Sequence, residues 1–358
     1  MGNTDTDLNP ETGLTADHPT LHGGDLLSAS RQFGIPVADW IDLSTGISPF
    51  AYPFTPPPAS AFRRLPYPDP QLYQVAADYY GHANLLVSAG TQPLIQALPC
   101  LLPEAPVWVP DIGYREHAQQ WAGAGRLCRS YPAHSAQAMI SALDMALTAD
   151  RHSHLVIINP NNPSGVRLQP EQLRTWADRL APGHYLIIDE AFVDAEPQYS
   201  VLPGHWRENM IVLRSFGKFF GLAGLRLGFV AAPTTLRADL SAALGLWSVN
   251  GPAQAIACEA LADHRWQAQV RTRLQDAADL ISGLLTRHID SPAVHTPLFS
   301  TLSLPRAEAE GLQMHCARAG ILLRVIHVDD RQSLVRIGRF DPDNEAERRR
   351  LEDSLALL

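Results

Sequence analysis

Short apolar runs recur along the first two thirds of this chain, each separated from the next by a longer stretch of mixed character. They stand in NLLVSAG (84–90), APVWVP (105–110), HLVII (154–158), YLII (185–188), MIVLRS (210–215) and LRLGFVAA (225–232). Runs of this kind do not alternate polar with apolar, so they read as strands covered on both faces, as in a parallel sheet with helices between its strands. After WSVNGPAQAIACEAL the pattern changes to longer helical stretches, such as Trp266 to Arg287, and then to short strands at FSTLSL, ILLRVI and SLVRIG. The expected fold class is α/β: a large domain over 46–252, its mainly parallel sheet flanked by helices, plus a smaller α+β domain over 253–358. Residues 1–45 read as an N-terminal arm, the first 18 or so polar and expected to be disordered. Dense prolines between Ile47 and Pro70 predict an extended linker without regular elements. There is no internal repeat or heptad array.

Chemistry concentrates in three segments. In SFGKFFGLAGLRLGF, Lys218 lies among Phe216, Phe219, Phe220 and Leu222, an apolar setting in which a lysine loses its proton more easily and attacks an aldehyde. Ser215 and Arg226 stand where both can turn toward a phosphate, the arginine gripping it with two donors. Upstream, the strand HLVII runs into NPNNPSG, which carries Asn162, and the strand YLII ends at Asp189 and Glu190. Open α/β sheets place ligands at such carboxyl ends. A carboxylate there can pair with a protonated pyridine nitrogen and keep a ring cationic. Amine, hydroxyl, guanidinium and carboxylate together are what pyridoxal 5′-phosphate requires. Alone, Asp189 could cap a helix, Asn162 could be a turn residue and Lys218 a surface lysine; their order along the chain favours the site. In SAGTQPLIQAL, Gly90 permits a tight turn, and Thr91 and Gln92 open a helix whose first N–H groups are free for a phosphate. An ordinary strand-to-helix turn would look the same.

NPNNPSG, DEAF and SFGKFFGLAGLRLGF resemble the aminotransferase-type fold of pyridoxal phosphate enzymes, in the branch that contains histidinol-phosphate aminotransferases and threonine-phosphate decarboxylases. The likeness covers most of the chain. HGGD at 22–25, the following WIDLSTGISPF and DEAF in place of the aminotransferases' usual DEAY point to the decarboxylases. Two positions depart from that decarboxylase pattern, Asp25 and Gly46, which replace asparagines; Phe192 stands where aminotransferases usually carry a tyrosine whose hydroxyl faces the cofactor. The resemblance implies that Tyr114 lies over the cofactor ring, that Asn162 and Asp189 hold the ring, and that Lys218 and Asp189 are the catalytic pair. It also implies that Gly90, Thr91, Gln92, Ser215 and Arg226 surround the cofactor phosphate, and that Tyr67 reaches it from the other subunit of a homodimer. Arg336 then pairs with the substrate's α-carboxylate, Arg324 with its phosphate, and His22 approaches from the arm. The activity implied is decarboxylation of L-threonine O-3-phosphate in cobalamin biosynthesis. Alternatives are a histidinol-phosphate aminotransferase, which needs 2-oxoglutarate, and a non-catalytic module that senses the cofactor.

Composition narrows the classes. With 28 basic and 37 acidic residues the formal charge is −9, which disfavours nucleic acid or a membrane surface as partner, so an anionic ligand must be met by local arginines. Four scattered cysteines without a C-x-x-C pair predict neither a metal site nor a disulfide framework, and suggest a reducing, cytoplasmic setting. No apolar stretch is long enough to span a bilayer.

Overall fold

The computed structural model describes residues 23–357, so His22 and the expected disorder of the first 18 residues lie outside the described residues. The strands are β1 (Ile41–Asp42), β2 (Leu85–Ser88), β3 (Val107–Pro110), β4 (Cys128–Tyr131), β5 (His154–Ile158), β6 (Leu186–Asp189) and β7 (Met210–Ser215). They continue as β8 (Gly228–Ala231), β9 (Ala293–His295), β10 (Ser300–Pro305), β11 (Ile321–Leu322), β12 (Arg324–His327) and β13 (Gln332–Ile337). The main sheet has the order β2-β8-β7-β6-β5-β3-β4, and only β8 runs against the rest.

The uninterrupted apolar runs are explained by where successive side chains go. Leu155, Ile157, Leu186, Ile188, Met210 and Val212 enter one core, while Val156, Ile187, Ile211, Leu213 and Val230 enter the core on the opposite face. Both faces are dry, so neither set of positions tolerates a polar residue. Each such side chain contributes roughly 1.5–3 kcal/mol by leaving water. The same logic explains why β4 carried no signal: as an edge strand reading CRSY, it fully buries only Tyr131.

The second half differs from expectation in detail. ILLRVI is not one strand: β11 pairs parallel with β1, whereas β12 joins the antiparallel order β12-β13-β10-β9. Ile41 and Leu43 accordingly share a core with Leu284, Leu302, Ile321 and Val335, so the last part of the arm is packed onto C-terminal elements. The expected helix over Trp266–Arg287 runs His264–His288, with Asp263 Oδ1 accepting from Trp266 N at 2.9 Å to cap it. The Pro-rich stretch is not wholly extended: a helix Ala59–Arg63 starts after Pro58, because proline's fixed φ disfavours helix interiors but not helix starts. No helix of the described residues is long and apolar enough to cross a membrane.

A buried ionic network locks the end of β7 to the loop after β6. Arg214 donates to Glu190 Oε2 at 2.7 Å, to Ser200 Oγ at 2.9 Å and to Asp194 Oδ1, with the Tyr80 ring centred 4.4 Å from the guanidinium. Burial pushes the Glu190 carboxyl up despite the arginine beside it. Arg214→Met would leave two buried carboxylates without their cation, and should cost about 3–5 kcal/mol in urea unfolding. A loss below about 1 kcal/mol, the size of an exposed pair, would show that the network does not fix this end of the sheet.

Candidate active site

The parallel strands bring their carboxyl ends to one side of the sheet, and the proposed functional residues sit there because each closes a strand or opens the loop after it. Asp189 closes β6, Ser215 closes β7, Asn162 follows β5 and Tyr114 follows β3. Lys218 lies on the single helical turn Phe216–Phe219 immediately after β7. Phe216, Phe219 and Phe220 are fully buried, with Phe216 stacked on Phe220 at 4.3 Å, so the turn has little freedom to move. Lys218 is also the only lysine in the sequence. Burial, then the positive charges of Arg336 and Arg226, push its amine down to about 8, while Asp189 pulls the other way. Those four groups therefore share one site.

Asp189 is buried and doubly held: Oδ2 accepts from His117 Nε2 at 2.9 Å, and Oδ1 accepts from Ala191 N at 3.0 Å. It is not the cap of a following helix. Tyr114 stands one helical turn before His117, with ring centres 6.3 Å apart, and its hydroxyl donates to Gln92 Oε1 at 3.1 Å. Burial, then the charges of Glu116 and Asp189, push that phenol up to about 12. Gln92 in turn donates to Glu116 Oε2 at 2.6 Å, which joins the start of helix Gln92–Leu101 to the start of helix Glu116–Gly123.

Close backbone approach builds the other end of the site. Gly90 has φ +84°, and a Cβ there would stand 2.9 Å from the Arg226 guanidinium, so the arginine lies directly against this turn. Gly228 is opposite Ser88 on one side and Ser215 on the other, and a Cβ on it would strike the Gly90 carbonyl carbon at 2.8 Å. Gly90, Thr91, Ser215 and Arg226 are thus gathered by one crowded contact. Thr91 occupies the N-cap of helix Gln92–Leu101 without using its side chain as a cap. Arg226 itself is left-handed at φ 54°, a conformation costing a non-glycine residue about 1–2 kcal/mol.

The small sheet supplies further cations. Arg336, in β13, is buried and donates to Asn162 Oδ1 and to the Ser44 carbonyl; its Nε is buried without a partner among the described residues. Burial, then Arg324, pull it down to about 10. Arg324 faces Arg336 in the β12–β13 register and has no hydrogen-bond or carboxylate partner for its guanidinium among the described residues. Gly23 lies over Arg336: a Cβ there would be 2.3 Å from the Ser44 oxygen and 3.3 Å from the guanidinium. Gly24 N donates to Ser44 Oγ at 2.7 Å, and Asp25 caps helix Leu26–Phe33 through Ser28 N at 3.0 Å, which an asparagine could do equally well. Gly46 has no room for a side chain, because a Cβ would stand 2.6 Å from the Phe192 ring. The Phe192 ring centre is 5.7 Å from Lys218 Nζ. Tyr67 is outside this gathering: it is 69 % exposed and packs edge-on against Trp247.

Two residues of the site were not legible beforehand. His117 left a faint trace, its spacing of three from Tyr114 across the start of helix Glu116–Gly123. Arg115 left none; it donates to the His327 carbonyl of β12 at 3.1 Å, a contact 212 residues away in sequence.

These residues fit pyridoxal phosphate. A lysine poised near neutrality, a buried carboxylate held by a histidine, and a glycine turn lying on an arginine meet the needs of an aldehyde, a pyridine nitrogen and a phosphate. The unpartnered Arg336 Nε leaves capacity for a further anion.

Comparison with known proteins agrees. The family signature described as aminotransferase class I and II matches residues 58–343. A threonine-phosphate decarboxylase of Pseudomonas aeruginosa is 41% identical over 93% of this chain and 96% of its own. One from Sinorhizobium sp is 39% identical over 95% of this chain and 98% of its own. Among solved structures, the histidinol-phosphate aminotransferase of Sinorhizobium meliloti in complex with pyridoxal-5′-phosphate superposes with a TM-score of 0.75 at 22% identity, covering 98% of this chain and 97% of that one. The L-threonine-O-3-phosphate decarboxylase of Porphyromonas gingivalis gives 0.67 at 22%, covering 83% and 91%. The chain belongs to the class I and II aminotransferase family and, within it, to the branch of the threonine-phosphate decarboxylases.

Proposed function

We propose that this protein uses pyridoxal 5′-phosphate to decarboxylate L-threonine O-3-phosphate, releasing (R)-1-amino-2-propanol O-2-phosphate for cobalamin biosynthesis. The observation that carries this reading is the excess of positive charge at the site: Lys218, Arg226, Arg324 and Arg336 gather there in a chain of formal charge −9. A cofactor phosphate, a substrate carboxylate and a substrate phosphate would balance it. The full-length likeness to threonine-phosphate decarboxylases favours loss of the carboxylate over transfer of the amine.

Each residue's task follows from its surroundings. Bound pyridoxal phosphate supplies an electron sink for the pair left on the substrate's Cα when carbon dioxide departs. Asp189, fixed by His117, would hold the ring nitrogen and keep it protonated. Asn162 spends its oxygen on Arg336, which leaves its amide hydrogens free to serve the cofactor. Tyr114 would cover the ring, and Phe192 sets its ring centre 5.7 Å from Lys218 Nζ where a tyrosine would offer a hydroxyl. Gly90, Thr91, Gln92, Ser215 and Arg226 would hold the cofactor phosphate. Arg336 takes the substrate's α-carboxylate and Arg324 its phosphate, so the two ends of the substrate are fixed and rotation about Cα is restricted. Lys218 Nζ is placed to return a proton to Cα. His22 would approach from the arm, whose Gly23 lies over Arg336.

The same reading includes a homodimer. Phe62, Leu65, Tyr67, Leu246 and Trp247 leave exposed apolar surface, and Tyr67 would cross from it to the partner's cofactor phosphate. It also keeps a large domain over 46–252, a small one over 253–358 and a cytoplasmic setting.

Two outcomes are expected. Holoenzyme given L-threonine O-3-phosphate should release carbon dioxide without any keto acid; conversion of histidinol phosphate only when 2-oxoglutarate is present, with no carbon dioxide from phosphothreonine, would establish an aminotransferase instead. Second, protein labelled with 13C-lysine should show one lysine signal, which in the cofactor-free protein titrates near pH 8, protonated below and neutral above. Because the unfolded lysine holds its proton to about 10.4, stability should rise with pH between about 8 and 10. A midpoint above about 10 would mean that Lys218 is solvated and not prepared to react.

A further inference from the structure

Arg115, on a loop of the large sheet, and Arg324, on the small sheet, lie near one another with no carboxylate partner among the described residues. Arg115 follows Tyr114 in the loop after β3, and reaches across to the His327 carbonyl at 3.1 Å on β12, the edge strand of the small sheet. Arg324 begins that same strand, half-buried, and next to it in register is Arg336, whose head is committed to Asn162 and Ser44. Among the described residues neither Arg115 nor Arg324 has a carboxylate partner. The two guanidiniums are close enough that Arg115 lowers the affinity of Arg324 for its proton, second only to burial. Like charges brought together by tertiary structure cost free energy unless an anion is bound between them. A carboxylate would neutralise one; a phosphate dianion matches both, and offers enough oxygens for two bidentate donors.

We propose that Arg115 is a second arginine for the substrate's phosphate and forms with Arg324 a two-guanidinium clamp between the loop after β3 and strand β12. The inference rests on the substrate reading given above and extends it to a residue on the opposite side of the site. It gives the bond to the His327 carbonyl a purpose: the loop is tied to the small sheet at the place where the phosphate must enter. It also makes the phosphate a bridge between the two sheets, so that a substrate without it would lack the group that holds them together.

The test is a titration of holoenzyme, followed by cofactor absorbance, with L-threonine O-3-phosphate and separately with inorganic phosphate as competitor. Arg115→Gln should weaken phosphothreonine and inorganic phosphate by roughly 10- to 100-fold, the range expected for one charge-assisted contact. It should leave cofactor affinity within a few-fold, and raise KM more than it lowers kcat. Arg115→Lys, which keeps the charge and loses only the fork, should recover a good part of the loss. Unchanged affinity in Arg115→Gln beside a large loss in Arg324→Gln would overturn the clamp and leave Arg324 as the sole phosphate residue. Equal weakening of cofactor and phosphothreonine, unrelieved by lysine, would assign Arg115 a structural role and overturn it too. Should unaltered holoenzyme bind inorganic phosphate but not phosphothreonine, the substrate reading falls first, and the clamp with it.

Discussion

A buried positive charge with no carboxylate bonded to it organises this molecule. Arg336 sits on the small sheet and gives its hydrogens to Asn162, in the loop after β5 of the large sheet, and to Ser44, near the end of the arm. Three separate parts of the chain meet at one guanidinium. Both acceptors are neutral, and the Asp42 Oδ1 that might have served is engaged by the Ser44 amide and hydroxyl at 2.9 and 2.6 Å. Asp42 still favours the charged form of Arg336 from a distance, but burial and Arg324 outweigh it, so an arriving anion would be welcome there. Its field also depresses the Lys218 amine. A carboxylate bound at Arg336 would thus do two things, completing the contact between sheets and easing the repulsion that keeps Lys218 poised.

How much of this could be read beforehand depended on where the determining contact lay. The apolar runs at 154–158, 185–188 and 210–215 are dictated by burial on both faces, which writes itself into consecutive residues, and they appear as β5, β6 and β7. Lys218, Asp189 and Asn162 were visible because each follows such a run at a short interval, and Arg226 because it stands at the start of another. The failures share the opposite cause. β4 is an edge strand with little to bury, ILLRVI divides between two sheets because β11 is claimed by β1, and Arg115 and His117 acquire meaning only through contacts with β12 and β6. No local pattern encodes those.

Gly46 and Phe192 explain one another. In this structure they touch: the ring of Phe192 fills the space a Gly46 side chain would need. The ring is also edge-on to Phe299 at 5.2 Å, so it is held by apolar contacts instead of a hydroxyl. A single reversion, Gly46 to asparagine or Phe192 to tyrosine, would place a polar group into a site already packed for a phenyl ring.

The central claim is that the unpaired charge of Arg336 receives the carboxylate that is lost in the reaction. The most direct measurement compares the affinity of unaltered and Arg336→Met holoenzyme for L-threonine O-3-phosphate and for the product, which has the amine and phosphate but no carboxylate. The account predicts that the substitution weakens the substrate by roughly tenfold or more beyond whatever loss, from disturbing the junction of Asn162 and Ser44, it shares with the product. Equal losses for substrate and product would contradict it, since Arg336 would then support the fold of the site and not the group that leaves.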